Sequence, residues 1–214
     1  MKIELERVAP ADIEKRSMDI ISQELGEKRL DPENEAVIKR VIHTTADFGY
    51  ADTLFFTPHV VQQAVKLLKN GRVTIVTDTQ MALAGINKAV CQKLNCRVEC
   101  FMSDPQVAQE AQSRGITRAA VSMEKASGLS GPLIFAVGNA PTALVRLYEL
   151  ITEQKLSPSL VIGVPVGFVN VVESKELLLQ SGVPAIVARG RKGGSNVAAA
   201  ICNALIYQAA NRTL

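Results

Sequence analysis

A chain of 214 residues fits one compact domain, because units built on a single core run to about 250 residues before they divide. Hydrophobic residues at 47% and charged residues at 21% match a folded globular protein and exclude global disorder. A net charge of +3, with acidic and basic residues interspersed, lacks the single-sign field of a non-specific nucleic-acid binder, so no nucleic-acid partner is expected.

The amino terminus, MKIELERVAPADIEKR, alternates charged with apolar residues and holds no uninterrupted apolar run of the kind a secretory signal needs. The longest apolar stretch, Leu160 to Val169, falls well short of the roughly 18 residues that cross a bilayer. The expectation is a cytoplasmic protein with no membrane contact.

Two helical patterns come first, about Pro10 to Leu25 and Glu33 to Thr45, joined by the polar GEKRLDPEN loop; they predict an added N-terminal helical layer. On the first, Ser17 falls four residues after Ile13 and three before Ile20, on the apolar stripe, where capping or packing is the plain reading. On the second, plotted at about 100° per residue, Val37, Ile38, Val41 and Ile42 gather on one side, and Arg40 and His43 lie roughly opposite. Three residues apart, those two share a face and could reach one bound group. His43 is then either a solvated surface histidine or one that faces a ligand or a second chain. The other histidine, His59, stands beside Pro58 at a helix start and reads as structural or exposed.

From Arg72 onward, runs rich in β-branched residues (RVTIVTD, RVECF, PLIFAVGN, SLVIGVPVG, PAIVARG) each precede a helix-like segment. Near-continuous apolar strands separated by helices predict an α/β fold, a mostly parallel sheet flanked by helices on both faces. Pro58 and Gly71 punctuate the helix in PHVVQQAVKLLKNG, and further helices are expected in PQVAQEAQSRG, APTALVRLYELITEQ, ESKELLLQSG and SNVAAAICNALIYQAA. No low-complexity linker interrupts residues 1–214, which read as a single domain. Aromatic residues are few and tryptophan is absent, so Val, Ile, Leu and Ala must build the core.

In open parallel sheets, ligands bind beyond the carboxyl ends of the strands. Here those loops read TDTQMA, MSDPQ, GNAP, VPVGFVN and ARGRKGGSN. Arg118 starts a helix-like stretch after Gly115, where a guanidinium opposes the helix dipole; a carboxylate partner would resolve the conflict. Val187 to Ala200 runs from a strand through a glycine-rich loop into a helix, and bare N–H groups there, with Arg189, Arg191 and Lys192, would suit an anion. The stretch is neither GxGxxG nor a Walker loop, and a tight turn with solvated basic residues is the plain alternative. Cys91, Cys96, Cys100 and Cys202 lack CxxC spacing and read as reduced thiols, so no metal site is expected. No Ser-His-Asp order, HExxH pattern or paired-carboxylate signature stands out. The residues alone therefore give an α/β protein with an anionic ligand and one candidate acid–base histidine.

VIHTTADFGYADTLFF and LQSGVPAIVARGRKGGSNVAAAICNAL, supported by IVTDTQMALAGIN, AVGNAPTAL and VIGVPVGFVNVVESKE, resemble the precorrin-8X methylmutase family of cobalamin biosynthesis over nearly the whole chain. The resemblance implies an isomerase that moves a methyl group from C-11 to C-12 of a corrin precursor, with or without cobalt in the ring. It also implies a homodimer whose sites lie near the subunit interface, acting on a polycarboxylate tetrapyrrole. His43 matches the family's catalytic histidine, and Ser17 and Arg40 match substrate-contacting positions. Arg118 and Arg191, Lys192, Gly193, Gly194 and Ser195 match regions lining the tetrapyrrole pocket. A 1,5-sigmatropic shift is concerted and intramolecular, so one proton donor suffices, without nucleophile, redox cofactor or protein-bound metal. The rival reading is a carrier that holds a corrin intermediate without converting it; a nucleotide or phosphosugar binder using the Gly193-Gly194 turn is a third.

Overall fold

The structure, a computed structural model, describes residues 5–211, so the first four residues of the amino-terminal stretch read above lie outside the described residues. Two helices open the chain, α1 (Ile13–Leu25) and α2 (Glu35–Thr45), as the sequence predicts. A single turn, α3 (Tyr50–Thr53), leads into a short strand, β1 (Leu54–Phe56). The alternation then runs α4 (Val60–Asn70), β2 (Thr74–Thr77), α5 (Gln80–Gly85), α6 (Lys88–Lys93), β3 (Arg97–Glu99), α7 (Pro105–Arg114), α8 (Arg118–Ser127) and β4 (Leu133–Val137). It ends α9 (Pro141–Thr152), β5 (Leu160–Gly163), α10 (Val171–Gln180), β6 (Ala185–Ala188) and α11 (Ser195–Ala209).

Local chemistry fixes many of these boundaries. Side chains of Thr79, Asn87 and Thr117 accept from Ala82, Val90 and Ala120 N–H and so start α5, α6 and α8, taking up N–H groups that a helix start leaves unpaired. Asp104 does the same for α7, where Pro105 occupies the first turn and Gly115 closes the helix in a left-handed conformation.

The sheet has the order β1-β6-β5-β4-β2-β3 among the described residues, with every pairing parallel except β1 against β6. The residues of β2, β4, β5 and β6 are all buried, the reason they read as unbroken apolar runs. Alternation splits them between two faces. Ile75, Ile134, Ala136, Ile162 and Ile186 join the core made with α2, α4 and α11, whereas Val76, Phe135, Val137, Val161 and Val187 pack with α8, α9 and α10. Helix α11 lies against β4 and β5, α2 packs on α11, and α1 packs on α2, which gives the expected N-terminal helical layer.

The strand β1 and the single turn α3 are departures from the sequence reading, which gave no element there, and the helix-like segment expected after RVTIVTD is split into the short helices α5 and α6. Three to six residues are too few to show a period of two or of 3.6. The antiparallel β1 has a functional consequence. Its first residue, Leu54, pairs with Ala188, the last of β6, so the α2–β1 connection arrives at the carboxyl edge of the sheet, where the basic loop begins. The chain also runs outward from β2 to β3 and returns to β4, so the winding direction reverses between β2 and β4, where Asp78 accepts from the N–H groups that follow β4.

Candidate active site

His43 occupies the last turn of α2 and is exposed. With Ser17, Ile20, Ile21 and Glu24 of α1, and Ile42, Ala46 and Phe48 beyond it, the imidazole lines a groove of about 420 Å³. Neither ring nitrogen is hydrogen-bonded to another described residue, which leaves the imidazole open to proton exchange with a molecule in the groove. Ser17 is half-buried, and its hydroxyl donates back to the Ile13 carbonyl at 2.9 Å. Glu14 and Ser17 on α1, like Arg40 and His43 on α2, are three residues apart, and both pairs lie along the seam of the two helices.

Arg40 differs from expectation. It does not share an open face with His43; it is 7% exposed, with Nη2 2.5 Å from Glu14 Oε1 and its guanidinium 5.5 Å from the centre of the Tyr207 ring. The cause is that α2 is covered on two sides, by α11 and by α1, so the position opposite the apolar stripe is also enclosed. Its Nε is buried without a hydrogen-bond partner. His59 takes a left-handed conformation at the start of α4, exposed, with Nδ1 3.2 Å from Glu33, in keeping with a structural or surface role.

The basic loop, residues 189–194, is laced into its surroundings. Lys192 Nζ lies 2.6 Å from Asp47 Oδ2, and this ion pair ties the loop to the turn just after α2; Lys192 holds the Asp47 carboxyl below the usual carboxylate range. Gly194 N–H donates to Val164 O at 2.9 Å, and Gly167 N–H donates to Arg191 O at 3.2 Å. Gly193 is pressed so closely on the next loop that a Cβ there would meet Val164 O at 2.1 Å. Ser195 Oγ is 2.8 Å from Thr79 Oγ1, which joins the start of α11 to the end of β2. The Arg191 guanidinium lies 5.5 Å from the Phe168 ring centre, and Phe168, 80% exposed, stands with exposed Val166 and Val169 in the β5–α10 loop. Cations beside exposed apolar side chains suit a large, flat molecule with acidic arms.

Two buried charges hold these loops, and the sequence reading singled out neither. Asp78, just past β2, is 0% exposed and accepts from the N–H groups of Gly138, Asn139 and Ala140 at 2.8, 2.8 and 2.7 Å. Burial raises its carboxyl pKa, and the three N–H bonds act against that rise. Lys175 of α10 donates to Gly190 O at 2.7 Å and Lys192 O at 2.9 Å.

Arg118 starts α8, exposed, with Nη1 3.4 Å from Met102 O; among the described residues no carboxylate resolves its conflict with the helix dipole. It stands by the end of β3, four strand positions from β6, roughly 20 Å at the usual strand spacing. Within one chain, Arg118 is thus not brought together with His43 and Lys192. Cys91, Cys96 and Cys202 are buried free thiols, Cys100 is half-buried and free, and among the described residues no three metal-ligating side chains gather.

A family model described as precorrin-8X methylmutase matches residues 12–208. A cobalt-precorrin-8 methylmutase of Salmonella typhimurium is 49% identical over 205 residues, 92% of this chain and 95% of that protein. A precorrin-8X methylmutase of a Sinorhizobium species is 34% identical, over 90% of this chain and 92% of that protein. The crystal structure of precorrin-8X methylmutase from Thermus thermophilus superposes with a TM-score of 0.85 at 37% identity, covering 95% of this chain and all of that one. With a family model spanning nearly all its length and relatives matched end to end, this chain belongs to the precorrin-8X methylmutase family.

Proposed function

We propose that the chain catalyses the C-11 to C-12 methyl migration of a precorrin-8 ring, with His43 as the proton donor and acceptor. The observation that carries this reading is the family match through residues 12–208 together with an exposed His43 lining an open groove. Protonation of a pyrrolic nitrogen or its conjugated neighbour polarises the π-system around the migrating methyl group. An imidazole titrates close to neutral pH, so it can give and regain that proton. The shift itself is intramolecular, and the remaining task is to hold the ring by its acetate and propionate arms.

Arg191, Lys192 and the start of α11 at Gly193, Gly194 and Ser195 grip those arms, and Phe168 and its apolar neighbours bear against the ring. Ser17 contacts the ring's rim beside His43. Arg40 takes part by exchanging Glu14 for a substrate acid, with its unbonded Nε as the vacant donor. Arg118 serves the same substrate class through a homodimer, where the sheet edge of one chain is set beside the groove of the other. The names of the relatives give no support to a non-catalytic carrier.

The cobalt-bearing ring is the proposed substrate. Relatives named for it run from 36% to 49% identity, and those named for the cobalt-free ring stand at 34% and 38%. The metal then belongs to the substrate. The chain acts as one domain, 1–214, in the cytoplasm; no described helix is long and apolar enough to cross a membrane.

His43→Ala and His43→Asn test the central claim. Each should keep the fold, because the side chain is exposed, and lose on the order of a hundred- to ten-thousandfold in kcat. Migration interrupts conjugation, so the visible spectrum reads it directly. Near wild-type turnover in both variants would refute the assignment.

A further inference from the structure

Helix α10 carries a buried stripe of Val171, Ser174, Lys175 and Leu178, and a lysine in its middle has no packing reason to be there. Lys175 is 0% exposed. Its Nζ donates to the carbonyls of Gly190 and Lys192, the residues on either side of Arg191. Arg191's own carbonyl is taken by Gly167 N–H, from the neighbouring loop. No carboxylate pairs with Nζ among the described residues, and burial alone pulls the ammonium down to about 8. A buried cation without a counter-ion costs free energy that a methionine of similar length would avoid. What methionine lacks is two N–H donors and a positive charge.

The segment it holds needs holding. Residues 189–194 contain three glycines, which give the backbone little stiffness of its own, yet this segment presents Arg191 and Lys192. Its other attachments run to the β5–α10 loop through Gly167 and Val164, to the Thr53 carbonyl at the end of the single turn α3 through Arg189 N–H at 2.8 Å, and to Asp47 on the far side. Lys175 reaches it with a fully buried side chain from a helix packed on both β6 and α9, whereas its neighbour Glu176 meets only the exposed Arg189 side chain, at 3.8 Å. Rigid support of this kind decides whether anchoring groups are preorganised or must be ordered at the expense of binding.

We propose that Lys175 is a positioning residue for substrate anchoring: by drawing the Gly190 and Lys192 carbonyls inward, it sets Arg191 and Lys192 outward for the carboxylate arms of the macrocycle. The second part of this proposal rests on the reaction reading above; the first does not. Because Lys175 acts before the ring is bound, its removal weakens the grip on substrate and leaves the proton transfer at His43 intact.

The test uses the full chain with Lys175→Met and Lys175→Gln, the second keeping N–H donors on a shorter, uncharged side chain. In ligand-free protein, hydrogen exchange at amides 190–195 should quicken about tenfold in the Met variant and less in the Gln variant, with β4 and β5 unchanged. With cobalt-precorrin-8, KM should rise about tenfold while kcat stays within about threefold, the signature of lost ground-state binding. Combining Lys175→Met with Arg191→Ala should cost less than the product of the single effects, because one acts through the other. Unchanged exchange in the loop overturns the proposal, and so does a fall in kcat at constant KM. Collapse of both variants also overturns it, by making Lys175 a folding residue. Quickened loop exchange in a protein whose wild type turns over no precorrin leaves the loop role standing and refutes the reaction reading instead.

Discussion

Gly193→Ala tests how tightly the two loops at the carboxyl edge of the sheet are fitted. The added Cβ would lie 2.1 Å from Val164 O and 2.7 Å from Pro165 O, both backbone atoms with no rotamer to give way. Restoring ordinary contact near 3.4 Å needs a separation of about 1.3 Å, and Val164 O is also the acceptor for Gly194 N–H at 2.9 Å. That bond cannot survive such a shift. Overpacking of this order costs roughly 1–3 kcal/mol, and a buried carbonyl left unpaired adds about 1 kcal/mol or more. The expected loss is therefore about 2–4 kcal/mol, read as a lower urea midpoint with an unchanged slope. KM should rise with it, because Lys192 moves with the loop. Gly190→Ala is the control: nothing lies within 4 Å of its Cβ position, so only the left-handed conformation at φ +78° opposes alanine, at about 1–2 kcal/mol. Equal stability and equal KM for Gly193→Ala and wild type would refute the close-fit argument.

Other consequences can be measured independently. Asp78→Asn turns an acceptor into a donor facing backbone N–H groups, so at least one of Gly138, Asn139 and Ala140 loses its partner; the urea midpoint should fall by the equivalent of about 1–3 kcal/mol, and no change would contradict the assigned role. Lys175 titrates near 10.5 when unfolded and at about 8 when folded, so between those values the unfolded chain holds the extra proton and stability rises with pH. The contribution is at most roughly 3 kcal/mol, and the rise should be absent from the stability–pH curve of Lys175→Met. Asp47→Asn removes the Lys192 ion pair, a partly exposed interaction worth under about 1 kcal/mol, so KM should respond more than the midpoint does. Because the folded Asp47 carboxyl is held low, that pair persists above its unfolded value and is lost as pH falls through the lowered one.

The parallel sheet was legible because its central strands are buried on both faces and therefore read as unbroken apolar runs, each ending in a loop of small or polar residues. The exposure of His43 was legible as well, through its place off the apolar stripe of α2. Arg40 was misplaced by the same helical plot, which sees one buried side and cannot see that α1 closes over the other. Lys175 was passed over because ESKE looks like a solvated charge cluster; the available signal was its spacing of four from Val171 and three from Leu178, which sets it on the buried stripe. Asp78 carried a weaker signal, an acid directly after a buried strand at a loop where ligands were expected. β1 left none, since three residues beside a proline turn show no period.

The two outermost members of the sheet, β1 and β3, are each three residues long, shorter than the strands between them. Each margin offers only a short ladder among the described residues, a poor template for a strand from another molecule. Short margins of this kind guard the protein against open-ended fibrous growth through its own backbone.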